Sequence, residues 1–106
     1  MLKVVRTLAI LVALAAPAAH ADWHGGTVTS FKVAYDGQTV TFNIAGYART
    51  NCTCYAAWNT DLCLDRSRPS FREEVAMLLS ARARGTGVHV NIDETTCFVT
   101  AIYENG

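Results

Sequence analysis

Hydrophobic and polar side chains alternate along much of this chain. Phe31, Val33 and Tyr35 are interleaved with Ser30, Lys32 and Ala34, and Val40, Phe42 and Ile44 with Thr39, Thr41 and Asn43. Asp36-Gly37 separates the two runs, and an Asp-Gly pair flanked by alternating apolar residues is a strong hairpin signal. The pattern predicts a first strand over 27–35 and a second over 38–45, with Gly46 bending the chain away. A third strand is expected over 50–58, placing Cys52, Cys54 and Ala56 on one face. The polar, turn-rich stretch 59–69 reads as a loop held near its middle by Cys63.

The period then changes. Phe71, Val75, Leu78 and Leu79 form an apolar stripe, with Arg72, Glu73, Ser80 and Arg84 turned outward, which is the pattern of a surface helix. Ser70 and Glu73 have the spacing of a capping box. Arg82 and Arg84 suit the negative end of the helix dipole, and Gly85 and Gly87 stop it. Alternation resumes in Val88, Val90 and Ile92 around His89 and Asn91, giving strand four. A turn over 93–96 leads to strand five over 97–103. Three strands, one helix and two strands is the order of a five-stranded, partly open barrel of the OB type. An α+β sheet with the helix on one face is the alternative. With no repeat, low-complexity tract or linker, residues 22–106 read as one domain.

The start of the chain belongs to a different pattern. Lys3 and Arg6 precede an apolar run from Leu8 to Ala16, which is too short to span a bilayer as a helix. Pro17 and the small-residue motif Ala19-His20-Ala21 follow it, as in a secretory signal peptide. Residues 1–21 are therefore read as a removed export signal. The expected location is periplasmic or secreted, and no later stretch is apolar enough to span a membrane. The full sequence has nine Lys/Arg and nine Asp/Glu. Without Lys3 and Arg6 the remainder carries a formal charge of −2, which is no electrostatic footprint for nucleic acid.

Export changes the meaning of the cysteines. Cys52, Cys54, Cys63 and Cys97 are an even set in a small exported domain, so they read as a disulfide framework. Cys52 and Cys54 are poorly placed to bridge each other. Two pairings remain open, Cys54–Cys63 with Cys52–Cys97, marginally preferred, or Cys52–Cys63 with Cys54–Cys97. No metal or cofactor is expected, since Cys-x-Cys lacks zinc-knuckle spacing.

Three stretches carry a resemblance: Trp23-His24-Gly25-Gly26-Thr27-Val28-Thr29-Ser30-Phe31, Phe42-Asn43-Ile44-Ala45-Gly46, and the run from Phe71 through Gly87 into Val88-His89-Val90. In these the chain resembles the small B subunits of subtilase-type bacterial toxins and related exported proteins. The resemblance implies an OB-type fold, assembly into a homo-oligomeric ring (a pentamer if toxin-like), glycan binding on that ring, and a catalytic A subunit as partner. His24 stands where the toxin subunits place a sugar-contacting serine, so that contact is not carried over. Asn43 stands where they have a cysteine.

The residues themselves point to binding rather than catalysis. His24 and His89 have no serine or cysteine nucleophile motif nearby, and the pairs Glu73-Glu74 and Asp93-Glu94 belong to a helix start and a turn. No catalytic residue is assigned and the chain is read as a non-enzyme. Sugars stack their C–H faces on aromatic rings. Trp23, His24, Tyr55 and Trp58 are the expected ligand-binding residues, with Tyr47 a further aromatic and Asn51, Asn59 and Asp61 as polar neighbours. Core packing is the competing role for Tyr55 and Trp58. In a ring, the helix face bearing Met77, Ala81 and the arginines is expected to line the centre. The alternative function is a free-standing periplasmic protein that binds a protein or an envelope component.

Overall fold

A computed structural model describes residues 21–105. The export signal proposed for residues 1–21 lies outside these except for Ala21. Among the described residues the protein is mainly β: five antiparallel strands in one open sheet, with a single α-helix between the third and fourth. The strands are β1 (Ala21–Val33), β2 (Val40–Ile44), β3 (Leu62–Leu64), β4 (Gly87–Asp93) and β5 (Val99–Asn105), and α1 spans Phe71–Arg84. Their order in the sheet is β3-β2-β1-β4-β5. The two outer strands approach at one parallel bridge, Cys63 to Phe98, where the Cys63 N–H donates to the Cys97 carbonyl at 3.1 Å. That contact draws the ends of the open sheet together, as in a partly open five-stranded barrel.

β1 is longer than its hydrophobic pattern suggests because two strands share it. Ala21 to Thr27 pair with β4, and Val28 to Val33 pair with β2. The handover occurs at Gly26, where an added Cβ would lie 2.3 Å from the Ala45 carbonyl oxygen. Only a glycine lets the β2 exit cross the strand that closely. A register shift between Val28 and Ser30 follows. It inserts one extra residue, so Val28 and Phe31 face the same side although three apart. Behind the shift Trp23 pairs with Asn91 and Gly25 with His89 on the outer face, while His24 pairs with Val90 on the inner one.

β4 keeps strict alternation: Val88, Val90 and Ile92 are fully buried and His89 and Asn91 lie outward. With Val28, Val40, Phe42, Ile44, Leu62, Leu64, Leu78 and Val99 they make the core. The Asp36-Gly37 turn forms as expected. Gly37 has φ +69°, and the Asp36 carboxylate accepts from the Gln38 and Thr39 N–H groups, both at 2.8 Å.

Several expectations are corrected. Residues 50–58 are not a strand, because the place beside β2 is taken by Leu62–Leu64, all three residues buried. Gly46, at φ +80°, turns the chain away from the sheet. The Cys52 and Cys54 N–H groups then bond to the Asn59 and Thr96 carbonyls instead of to a ladder. A 3-10 turn, Ala56–Trp58, occupies the end of this segment. The expected loop 59–69 therefore contains β3. The capping box does not form: Ser70 makes no side-chain cap bond, and its hydroxyl donates to Glu74 at 2.9 Å. Arg68 also pairs with Glu74 at 3.0 Å, so Glu74 is the buried acid and Glu73 faces water. The buried helix face runs through Glu74, Leu78 and Ala81. Leu79 is exposed, and Ala81, expected to line a ring, packs in the core. Tyr35 lies beyond the end of β1 and is 89 % exposed.

Candidate functional site

The expected ligand-binding residues fall into three separate places. Tyr55 and Trp58 come together. The rings lie 5.1 Å apart, edge to face, and Tyr35 adds a third ring 5.6 Å from Trp58. The 3-10 turn fixes this group: the Trp58 N–H donates to the Tyr55 carbonyl, and the Asp61 N–H to that of Trp58. The Cys54–Cys63 disulfide, between cysteines nine positions apart, closes the segment that contains Tyr55 and Trp58.

Beside the rings, the outer face of β1 and β2 carries a polar network. Lys32 Nζ lies 4.6 Å from the centre of the Trp58 ring, within cation–π range. The same ammonium donates to Asp61 Oδ2 at 2.8 Å. Asp61 also accepts from the Thr41 hydroxyl at 2.9 Å and the Asn43 amide at 3.0 Å, and Asn43 in turn donates to the Ser30 hydroxyl at 3.1 Å. Asp61 is only 2 % exposed. Burial by itself raises its pKa, but hydrogen bonds from Lys32, Asn43 and Thr41 outweigh that, and the carboxyl stays below the ordinary aspartate value. Asp61 thus serves the protein's own side chains and is not a ligand contact. Asn51 and Asn59 are exposed.

His24 belongs to a second cluster, at the inner end of the sheet. Its ring stacks on Tyr47 with centres 3.7 Å apart, and its Nε2 lies 3.0 Å from Glu94. Arg49 clamps Glu94 through both the carboxylate and the backbone carbonyl. Burial pushes the Glu94 carboxyl up, but the His24 hydrogen bond and the Arg49 charge bring it below its usual value. This cluster ties the loop after β2 to the turn before β5.

Trp23 lies in a third place, on the outer face of β1, β4 and β5. It packs against Tyr103 at 5.3 Å, and Tyr103 stacks on His89 at 4.9 Å with planes 10° apart. An added Cβ at Gly25 would meet His89 Nε2 at 2.7 Å, so the glycine leaves the space in which that ring lies. Trp23 and Tyr103 are both about half exposed.

The four cysteines form Cys52–Cys97 and Cys54–Cys63. Among the described residues, no group of three or more His, Cys, Asp or Glu side chains is placed to hold a metal ion, and no helix is long and apolar enough to cross a membrane. Tyr35 and Lys32 are members of the first site that the sequence reading did not assign to it. Alternation had put Tyr35 on the inner face of a strand that in fact ends at Val33. No protein-family model, curated protein or solved structure matches the chain.

Proposed function

We propose that the chain is an exported, non-enzymatic binding module whose ligand is a glycan taken on the Tyr35–Trp58–Tyr55 cluster. One observation carries this reading: three aromatic rings stand together beside the Lys32 ammonium, which Asp61 holds in place over Trp58. A sugar's C–H face stacks on the rings while its hydroxyls meet the N–H groups of Lys32 that Asp61 does not use. The two disulfides suit an oxidising compartment, as export requires. Assembly into a homo-oligomeric ring, with or without a catalytic partner, would multiply a modest single-site affinity.

The test is a glycan array probed with the oxidised protein and with Trp58→Ala. Truncating a central aromatic contact costs about 2 kcal/mol or more, so binding should fall roughly thirtyfold with the melting temperature nearly unchanged. Absence of glycan binding by the unaltered protein, or equal binding by the variant, refutes the reading. Native mass spectrometry tests the assembly: a pentamer supports the ring and a monomer at micromolar concentration removes it. The half-exposed Trp23–Tyr103 pair favours a second reading, a free-standing periplasmic protein that docks a protein or envelope component there. In that case Trp23→Ala and not Trp58→Ala abolishes binding.

A further inference from the structure

The Trp58 site contains a lysine whose charge is already answered from below. Lys32 is 41 % exposed at its side chain, and its ammonium lies over the Trp58 ring and 2.8 Å from a carboxylate that is almost fully buried. Asp61 has no oxygen to offer a ligand, because Lys32, Thr41, Asn43 and Thr60 all point donors at it. An arriving carboxylate therefore finds a neutral ion pair. A sugar hydroxyl or ring oxygen still finds the lysine N–H groups that Asp61 does not use.

Resting on the glycan reading above, we propose that Asp61 is a positioning residue that sets the charge class of the ligand, making this a site for uncharged saccharides that discriminates against carboxylated ones. It acts through Lys32, by holding the ammonium beside Trp58 and cancelling its charge. The opposite design, a lysine without a buried partner, would draw acidic sugars.

The experiment uses an array of neutral hexose oligosaccharides and their uronic-acid counterparts of the same linkage. The unaltered protein should bind neutral members at least about tenfold better than acidic ones. Asp61→Asn, which keeps the side-chain volume and frees the Lys32 charge, should raise binding of the acidic members about tenfold or more, more steeply at low salt. The double variant Lys32→Met with Asp61→Asn should lose that gain. A purely structural role for Asp61 would lower binding of both classes together and leave their ratio unmoved, which overturns the proposal. So does a preference of the unaltered protein for acidic members. This wild-type ratio, measured at about 50 mM and about 500 mM salt, decides the matter even if Asp61→Asn fails to fold. Failure of the glycan reading looks different: the unaltered protein then binds neither class, and both proposals fall.

Discussion

The two disulfides should separate stability from binding. Cys52–Cys97 spans 45 positions in sequence and Cys54–Cys63 only 9. In the chain-entropy picture these loops correspond to about 4.0 and about 2.6 kcal/mol at 25 °C. For a domain of about 85 residues the entropy of unfolding is about 180 cal/mol/K, so the melting temperature should fall by about 20 °C in Cys52→Ala/Cys97→Ala and by about 15 °C in Cys54→Ala/Cys63→Ala. Alanine is the replacement of choice, since Cys52, Cys63 and Cys97 are buried and a serine hydroxyl there would lack partners.

The effect on the site should run in the reverse order. The shorter bridge encloses the 3-10 turn that holds Trp58 against Tyr55 and brings it over Lys32. The longer bridge ties the start of that segment to the turn before β5. At a temperature where both variants are folded, loss of Cys54–Cys63 should weaken glycan binding more than loss of Cys52–Cys97. In a Trp23→Phe background it should also shift Trp58 fluorescence to the red. Thermal denaturation followed by circular dichroism gives the first ordering, and fluorescence with array binding gives the second. If both orderings place the same bridge first, the division of labour is wrong.

Other parts of the fold make their own claims. Gly26→Ala should cost about 2 kcal/mol or more, because its Cβ meets backbone at the Ala45 carbonyl, whereas Gly25→Ala should cost less, because it meets the His89 side chain, which can move. Urea denaturation compares the two. Leu78→Ala should cost about 3–5 kcal/mol and Leu79→Ala under about 0.5 kcal/mol, the first side chain being fully buried and the second exposed; equal costs would refute the assigned helix face. Asp61 and Glu94 both have carboxyls held below their ordinary values, so they stabilise the fold above the unfolded pKa values of about 3.9–4.3 and cease to as pH falls through the lower folded ones. The melting temperature should be level above about pH 5 and drop below about pH 4, and Asp61→Asn should flatten that drop.

The elements legible in the sequence are those whose burial is one-sided and long enough to repeat. β4 shows every buried position by alternation, the hairpin is signalled by Asp36-Gly37, and the helix by its changed period. β3 escaped because three successive buried residues have no period, and because they stand among Asp61, Asp65 and Arg66. Residues 52–56 imitated a strand because their alternation serves two disulfides instead of a sheet face. Gly25-Gly26 lay outside the expected first strand, 27–35. The pair instead marks two close approaches, one to a side chain and one to backbone, within a continuous strand.

The site was half legible for the same kind of reason. Tyr55 and Trp58 are joined by one local turn, and local geometry can be read from neighbours in sequence. Trp23 and His24 are closer still in sequence, yet they lie on opposite faces of β1, because adjacent strand residues always do. Had β1 been traced back to Ala21, that separation would have followed. It has a functional consequence. His24, on the inner side, stacks on Tyr47 and pairs with Glu94, which Arg49 clamps, so it takes part in joining the loop after β2 to the turn before β5. The aromatic groups left accessible are both on the outer face. One of them, Trp23 with Tyr103, stands beside His89, whose Nδ1 is buried and makes no hydrogen bond among the described residues. The other has donors fixed beside it by a buried acid, and fixed donors distinguish a site that orients a ligand from a patch that merely excludes water.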